Sequence, residues 1–286
     1  MSAQQAPAEE LDIEILARQP SGAALARVIA GPIAASAPAS SIPAGTLVLV
    51  GAFAACGECD VCRRGGPAVC ANAVLRAADA ATARVSSRWV VPLADGLESL
   101  AELGAALAAI PGDLATAYTL YARTGVGPRD PVVVTGATAV TRFVVAILRA
   151  KGLTPVVLTS RPELVAAGAI IASAASEVAA AITSLGLGAR PARVIATDLA
   201  SLAVAAELAG PRATLTVLAS AGAPTGTLPL SLIAREVTII GVAGAHPDLV
   251  TEVAAMCAKG ELDLAAGTTT DPADPTRALV ISLPSR

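Results

Sequence analysis

The clearest pattern in the chain begins after residue 130, where short apolar runs alternate with amphipathic segments. Five runs are continuously apolar and rich in β-branched residues, which is typical of strands buried on both faces of a parallel sheet: VVVTG, PVVLTS, RVIATD, ATLTVLAS and EVTIIGVAG. Four segments have helical periodicity: AVTRFVVAILRAKG, RPELVAAGAI, LASLAVAAELAG and HPDLVTEVAAMCAKG. Because alternating strands and helices form right-handed βαβ units, the sequence predicts an α/β fold with a doubly wound parallel sheet.

The N-terminal part has a different pattern. Residues 1–11 are polar and acidic, and we expect them to be disordered. Apolar runs broken by Pro and Gly predict short strands between residues 12 and 55, namely LDIEIL, ALARVIA and TLVLVGAF. The segment RVSSRWVVPL at residues 84–93 predicts one more strand, and residues 97–123 have helical periodicity. A β-rich region therefore precedes the parallel sheet.

Composition and charge exclude several classes of protein. The net charge is −3, and no basic patch carries interleaved aromatic residues, so we expect no nucleic acid partner. The mean hydropathy is +0.67, but Pro, Gly and Ser interrupt both long uncharged stretches, residues 28–57 and 213–234. Neither stretch suits a membrane-spanning helix, and the acidic N-terminus is unlike a signal peptide. We expect a cytoplasmic protein, whose thiols stay reduced.

The segment CGECDVCRRGGPAVC holds four of the chain's five cysteines within residues 56–70. Four thiolates on tight turns form the closed tetrahedral shell of a structural zinc site. An iron–sulfur cluster is the alternative, but the bacterial ferredoxin pattern ends with a three-residue gap and a Pro, whereas here the last gap is seven residues and Ala71 follows. The spacing favours structural zinc, with these ligands: Cys56, Cys59, Cys62 and Cys70.

A cysteine lobe of this spacing before a nucleotide-binding fold resembles the zinc-containing alcohol dehydrogenases of the medium-chain dehydrogenase/reductase superfamily. TAYTLYARTGVGPRDPVVVTGA and TGTLPLSLIAREVTIIGVAG resemble the start and end of that family's cofactor domain. The resemblance implies a truncated β-rich GroES-like domain at residues 1–115, joined by residues 270–286. It also implies a Rossmann-like dinucleotide-binding domain at residues 116–269, and a homodimer formed by edge strands near EVTIIGVAG.

The chain departs from this family at the catalytic zinc ligands. In the segment QPSGAALARV, Gly22 and Ala23 stand where the family has His and Glu, and the only histidine is His246. Asp113 lies at about the place of the third ligand. Since a catalytic zinc needs three protein ligands and an open position, we expect no catalytic zinc. The position of Asp113 before LATAYTLYA favours a helix N-cap over a metal ligand.

The family's cofactor loop, G-x-G-x-x-G, is altered to Gly136-Ala137-Thr138-Ala139-Val140-Thr141. The first glycine, which makes the tight turn, is kept. Thr138 and Thr141 add bulk where the backbone approaches the pyrophosphate and where helix and strand pack. Their hydroxyls and the helix N-terminus still offer hydrogen bonds to a phosphate.

The second predicted strand ends in VVLTSRPE, without the acidic residue that holds the ribose of NAD. Thr159, Ser160 and Arg161 resemble a site for the 2′-phosphate of NADP, because Arg binds phosphate well. The alternative is that Ser160 caps a helix and Arg161 is a solvated residue of its first turn. If a dinucleotide binds, NADP is favoured over NAD.

Two functions are consistent with these residues. One is a metal-independent NAD(P)-dependent oxidoreductase acting on a small molecule, in which hydrogen bonds polarise the carbonyl group. The other is a catalytically inactive structural or regulatory homologue. Tyr118 is a possible proton donor to a substrate oxygen, and Tyr121 follows three residues later. This helical spacing favours packing of both rings in the core.

Overall fold

The computed structural model describes residues 10–30, 42–64, 66–75, 81–93, 96–165, 168–188, 190–219, 230–245, 247–274 and 277–282. Within them, two large sheets carry the fold, one antiparallel and one parallel. The antiparallel sheet belongs mainly to the N-terminal part and the parallel sheet to the part after residue 130. The predicted fold class, a doubly wound parallel sheet with a separate β-rich unit, is confirmed.

The N-terminal part contributes seven strands and one short helix. These are β1 (Glu10–Arg18), β2 (Ala24–Ala30), β3 (Leu47–Val50), β4 (Phe53–Ala54), α1 (Asp60–Arg63), β5 (Val74–Leu75), β6 (Thr82–Ser86) and β7 (Val90–Pro92). Strands β1, β2, β3 and β7 follow one another in an antiparallel sheet, and β6 pairs with the other edge of β1. Alternate residues of β1 are buried, as expected of a sheet with one face on a core.

A long helical connection leads from the first sheet to the second. It consists of 3₁₀ turns at Glu98–Ala109, one wide turn at Ile110–Leu114, and helix α2 (Ala115–Thr124). Kinks occur at Gly104 and Gly112. By length and composition Glu98–Thr124 is apolar enough to cross a membrane, but 56% of its most apolar window is buried within the molecule, as in the core helix of a globular protein.

The parallel sheet begins after this connection. Its elements are β8 (Val132–Thr135), α3 (Ala139–Ala150), β9 (Val156–Leu158), β10 (Ile170–Ala172), α4 (Ala175–Ser184), β11 (Arg193–Ala196), α5 (Leu202–Leu208), β12 (Thr214–Leu218), α6 (Leu230–Ala234), β13 (Thr238–Val242) and α7 (Pro247–Ala258). The strand order is β10-β9-β8-β11-β12-β13, and every pair is parallel. The order reverses between β8 and β11, which is the crevice where such sheets bind ligands.

The C-terminal segment returns to the first sheet. It contains α8 (Leu264–Gly267), β14 (Thr268–Thr269), β15 (Ala278–Leu279) and β16 (Ile281–Ser282), and β16 pairs with Ala17 and Arg18 of β1. One hydrophobic core runs from Leu49 of the first sheet through Ile110 to Val134 of the second sheet and Phe143 of helix α3. The cleft described below is therefore bounded by two units that share packing.

Four local predictions were wrong. Residues 10 and 11, which were expected to be disordered, begin strand β1, and the rest of that prediction, residues 1–9, lies outside the described residues. The predicted second helix, RPELVAAGAI, is a 3₁₀ turn at Pro162–Leu164 followed by strand β10, and the sequence analysis missed both β10 and helix α4. The single strand predicted at residues 84–93 is split into β6 and β7 by a 3₁₀ turn at Ser87–Trp89. Asp113 is not an N-cap, because α2 is preceded by Leu114 and has no side-chain cap.

Candidate functional site

The four predicted zinc ligands converge on one point. Their sulfur atoms all lie within 4.8 Å of one another. The distances are 3.8 Å from Cys56 to Cys62, 3.8 Å from Cys59 to Cys70 and 3.6 Å from Cys56 to Cys70. Ligands at the corners of a tetrahedron around an ion 2.3 Å away are separated by about 3.8 Å. The cluster fits zinc, and these separations exceed a disulfide bond.

Local structure explains why the cysteines converge. Cys59 caps α1, and its sulfur accepts a hydrogen bond from the amide of Cys62 at 3.5 Å. The sulfur of Cys70 accepts another from the amide of Asn72 at 3.4 Å. Gly57 has a positive φ of 75° and its carbonyl accepts a hydrogen bond from Arg88. Amides aimed at the sulfurs stabilise thiolates, the form that binds metal.

The protonation of the cysteines differs with their surroundings. Backbone amides of Glu58 and Cys59 lower the pKa of the Cys56 thiol to about 6. Burial raises the pKa of the Cys62 thiol to about 12. Trp89 packs against Cys62 and Cys70, and its indole N–H donates to the carbonyl of Ala55 at 3.0 Å. A bound cation removes such a difference because it deprotonates every thiol it coordinates.

The turn between β8 and α3 is the altered cofactor loop. Gly136 has a φ of +127°, a conformation that L side chains rarely adopt, and a Cβ atom there would overlap Thr197 and crowd Asp198. Thr138 caps α3, and its amide donates to the hydroxyl of Thr141 at 3.1 Å. The Thr141 hydroxyl also lies 2.7 Å from that of Thr197. The two threonines thus form an internal capping network where the family has glycines.

The first turn of α3 has two backbone amides that could donate hydrogen bonds to a ligand. No acceptor for the amides of Ala139 and Val140 is found among the described residues. Such amides at the N-terminus of a helix bind anions, and α3 is twelve residues long. The loop therefore still fits the phosphates of a dinucleotide, although its turn is more crowded than the family's.

A crevice of about 290 Å³ opens beside this loop at the carboxyl ends of β8, β9 and β11. Its walls contain two of the predicted cofactor residues, Gly136 and Ser160, together with Thr159. Thr138 belongs to the loop but does not line the crevice, and Arg161 is also absent from the described lining. The hydroxyl of Thr159 accepts a hydrogen bond from the Arg161 amide at 3.1 Å. Ser160 is exposed and caps no helix.

The crevice also contains an acidic residue that the sequence analysis missed. Asp198 lies two residues after the end of β11, beyond Thr197, and lines the crevice. Its carboxylate accepts hydrogen bonds from the amides of Ala137, at 3.1 Å, and Ser201, at 2.8 Å. The available signal was the polar pair Thr197-Asp198 after a buried strand, since the carboxyl ends of parallel strands form the binding edge of such a sheet.

A second cavity, of about 250 Å³, lies on the other side of the loop. Its lining combines both units: Leu49, Phe53 and Trp89 from the first, and Val140, Leu218 and Val250 from the second. Apart from backbone groups and the indole N–H, the polar lining consists of Ser21, Asp113 and Thr116. The cavity is an apolar cleft, of the kind that binds small molecules with a few placed polar groups.

Asp113 is held in this cleft by Gln19, a buried residue 94 positions earlier in the chain. The Gln19 amide nitrogen donates to Asp113 Oδ2 at 2.8 Å, and the Asp113 backbone amide donates to Gln19 Oε1 at 3.1 Å. The neighbouring Gly112 is required, because a Cβ atom there would overlap Gln19. Burial raises the pKa of the Asp113 carboxyl, and the hydrogen bond from Gln19 offsets part of the rise.

Asp113 and Tyr118 are the two residues that the sequence offers as weak candidates for a catalytic group, and Tyr118 does not line the cleft. Its ring is buried, and its hydroxyl donates a hydrogen bond to Glu252 of α7. The ring of Tyr121 packs beside it at a centroid distance of 5.7 Å. Burial and the contact with Glu252 raise the Tyr118 pKa. The residue ties α2 to α7, which agrees with the predicted core packing.

The described residues contain one cluster of three or more His, Cys, Asp or Glu side chains suited to a metal ion, and it is the four cysteines. Ser21 faces the cleft near Asp113, in the segment where the family has a histidine ligand. His246 lies outside the described residues. Among the described lining residues of the cleft, Asp113 is therefore the only side chain of a type that commonly binds metal.

Comparison with known proteins shows what this chain is similar to. No family model matches its sequence, and no curated protein matches it either. Solved structures do match: the NADH complex of the short chain alcohol dehydrogenase rspB from E. coli CFT073 has a TM-score of 0.72 at 15% identity, over 96% of this chain and 92% of that one. A thermostable alcohol dehydrogenase from Pyrobaculum aerophilum gives 0.71 at 18%, over 96% and 91%.

A third match, the alcohol dehydrogenase TADH from Thermus sp. ATN1, has a TM-score of 0.72 at 19% identity, over 92% of this chain and 85% of that one. At such identities the likeness concerns the fold. It extends over both sheets, because each match covers more than nine tenths of the chain. The chain therefore has the fold of these alcohol dehydrogenases, and its four-cysteine cluster fits a structural zinc lobe.

Proposed function

We propose that this protein is a nicotinamide dinucleotide-dependent oxidoreductase acting on a small apolar molecule. The supporting observation is the position of the loop at residues 136–141 between two cavities. The crevice beside Gly136 suits the adenosine half of a dinucleotide, and the cleft beside Val140 suits a nicotinamide and a substrate. Dinucleotides bind at this switch point in sheets of this order.

The cofactor would be held by groups of the loop and the crevice. The free amides of Ala139 and Val140 would bind its phosphates, and the hydroxyls of Thr159 and Ser160 would contact the adenosine ribose. When bound, a nicotinamide supplies or accepts a hydride. We propose NADP as the preferred form, because Arg161 follows Ser160 and its guanidinium group has no hydrogen-bond partner among the described residues. Asp198 would limit the affinity, since its charge opposes a phosphate.

We also propose one structural zinc per chain, bound by Cys56, Cys59, Cys62 and Cys70, and no catalytic zinc. The sulfur separations support the first statement. The lining of the cleft supports the absence of a catalytic zinc. A catalytic zinc needs three protein ligands, and Asp113 is the one side chain of a metal-ligating type among the described lining residues. Metal analysis tests both: one zinc per chain is expected, and two would contradict the proposal.

A second candidate is a catalytically inactive homologue that keeps the fold and the zinc lobe. Two observations favour it. The Thr141 hydroxyl already accepts the hydrogen bond of the Thr138 amide, and the Asp198 carboxylate already accepts that of Ala137. These internal contacts use loop amides that would otherwise face a ligand.

Cofactor titration distinguishes the two candidates. Trp89 is the only tryptophan in the chain and lines the cleft, so a bound reduced nicotinamide should quench its fluorescence. We expect saturable quenching by NADPH, and more weakly by NADH, with dissociation constants in the micromolar range. Trp89→Phe is the control, because it should remove the signal without removing the fold. Absence of binding up to millimolar dinucleotide would favour the inactive homologue.

Assembly and location complete the proposal. We propose a homodimer formed through β13, which is an edge strand of the parallel sheet and exposes Thr238, Ile239 and Gly241. An exposed edge strand presents unpaired backbone groups to a second chain. We also propose a cytoplasmic location, where the four thiols would remain reduced and able to bind metal.

A further inference from the structure

The cleft contains a single ionisable side chain among its described lining residues, and that residue is Asp113. The other contributions, from β3, β7, α2, α3 and α7 and from the segments between them, are apolar or neutral. A lone carboxyl group among such walls is costly to keep charged. Its presence therefore calls for a role, because an apolar residue would fill this position more favourably.

The carboxyl group is oriented rather than free. Gln19 binds Asp113 at two points, its backbone amide and Oδ2, which fixes the plane of the carboxyl group. The other oxygen, Oδ1, has no partner among the described residues. Among these residues Arg18 Nη1 is the only buried side-chain polar atom without a partner. Because Oδ1 lacks a partner but is not among such buried atoms, it must be accessible. Asp113 is partly exposed and lines the cleft, so Oδ1 is accessible from the cleft.

The orientation and burial of Asp113 together determine whether its carboxyl group is protonated and which oxygen carries the proton. Burial raises the pKa of the Asp113 carboxyl, which favours its protonated form. Gln19 donates to Oδ2, so that oxygen acts as an acceptor, and the proton of the neutral acid belongs on Oδ1. An acid placed this way donates a hydrogen bond into the cleft. Buried carboxylic acids kept neutral for this purpose are a known device of catalysis.

We infer that Asp113 is a catalytic acid that protonates the carbonyl oxygen of a small, uncharged aldehyde or ketone, and that Gln19 is its positioning residue. This inference rests on the proposed function. A bound reduced dinucleotide would supply a hydride to the carbonyl carbon and would itself be oxidised. The electron pair of the C=O π bond would take the proton from Asp113 Oδ1, which gives an alcohol. The Asp113 carboxylate would then regain a proton from the solvent.

The apolar walls define the substrate class. A carboxylate or phosphate on the substrate would find no cation among the described lining residues of the cleft. Leu49, Phe53 and Val250 instead favour an alkyl or aromatic group next to the carbonyl. The cleft of about 250 Å³ limits this group to a small one.

A chromophoric aldehyde, 4-dimethylaminocinnamaldehyde, tests the inference directly. Its absorption moves to longer wavelength when its carbonyl oxygen accepts a hydrogen bond. With the wild-type holoprotein we expect a red shift at low pH that is lost as the pH rises through the raised pKa of Asp113. Asp113→Asn should make the spectrum of the bound probe independent of pH. Thr116→Val, which changes another polar lining residue, should leave the pH dependence intact.

Gln19→Leu gives a second, independent measurement. The hydrogen bond from Gln19 lowers the Asp113 pKa, so its removal should move the midpoint of the red shift to higher pH. Turnover of the same probe with NADPH should fall roughly 100-fold in kcat/KM for Asp113→Asn, as for the loss of a general acid. Zinc content and circular dichroism confirm that each variant is folded.

The outcomes separate this inference from the proposed function. Failure to bind NADPH would overturn the proposed oxidoreductase, whereas a pH-dependent red shift without NADPH would still support Asp113 as a donor in the cleft. A red shift that is absent, or that does not change with pH in the wild type, would overturn the role of Asp113 even if NADPH binds. Absence of probe binding at any pH would overturn it as well.

Discussion

Each of the two cavities has one aspartate in its described lining, Asp113 in the cleft and Asp198 in the crevice, and we expect the two to affect ligands differently. Burial in an apolar cleft raises the pKa of the Asp113 carboxyl. Asp198, at the edge of the crevice, instead accepts hydrogen bonds from the backbone amides of Ala137 and Ser201. In the proposed function, Asp113 would donate a proton to the substrate, and Asp198 would oppose the phosphates of the dinucleotide.

We predict that Asp198→Asn strengthens dinucleotide binding. The substitution removes a negative charge from the crevice while an amide oxygen can still accept a backbone hydrogen bond. The dissociation constant for NADPH should fall roughly tenfold, equivalent to about 1.4 kcal/mol, and that for NADH should fall less, because NADH lacks the 2′-phosphate.

Fluorescence titration measures both constants. Glu207→Gln is the matched control, since it removes the same charge from an exposed position of α5 that does not line the crevice. Equal improvement in the two variants would mean that only net charge matters. No change for Asp198→Asn would show that this carboxylate does not face the bound phosphates.

Among the elements of the fold, the cysteine lobe depends least on a hydrophobic core. It consists of α1, a 3₁₀ turn at Pro67–Val69 and the two-stranded sheet β4–β5. Its buried cluster is small and consists of Cys62, Cys70 and Trp89. Elements this short are not stable on their own. The proposed zinc ion would link four side chains and supply the missing stabilisation.

We predict that Cys59→Ser unfolds the lobe locally. Cys59 is both a ligand in the proposed zinc site and the cap of α1, so its loss should lower the zinc content from one per chain to near zero. Limited proteolysis should then cleave within residues 56–70, while the dissociation constant for NADPH stays within about twofold.

Cys257→Ala is the control for this experiment, because Cys257 is a buried cysteine in α7, outside the cluster. It should retain zinc. A parallel loss of NADPH binding in Cys59→Ser would mean that the lobe supports the cofactor site, for example through Trp89, which contacts both the lobe and the cleft.

At the scale of the whole molecule, assembly depends on which edge strand of the parallel sheet pairs with a second chain. Strand β10 forms one edge and β13 the other. Each exposes a large apolar side chain, Ile171 in β10 and Ile239 in β13. A charged residue on an edge strand opposes pairing with another chain.

We predict that Ile239→Lys dissociates the proposed dimer into monomers, as measured by light scattering after size-exclusion chromatography. Ile171→Lys, on the opposite edge of the same sheet, should leave the dimer intact. A monomeric wild type would contradict the proposed dimer, and dissociation by Ile171→Lys alone would assign it to the other edge.

Sequence alone determined those features that depend on neighbouring residues. Apolar runs that alternate with amphipathic segments were sufficient to predict β8, α3, β11 and β12, because strand and helix periodicities are local. The four cysteines were recognised as a metal site for the same reason, since their spacing brings them together on adjacent turns. Prediction failed at the segment RPELVAAGAI, where a short helical pattern was overridden by strand pairing between Ile170 and Val156.

Only the tertiary structure decided which residues share a cavity. Gln19 meets Asp113 across 94 positions, and Asp198 meets Ala137 across 61. Arg161, a neighbour of the crevice residue Ser160 in sequence, is not part of the described lining. Such contacts depend on the path of the whole chain, because strands distant in sequence become adjacent only when the sheets form. No periodicity or spacing along the chain encodes that adjacency.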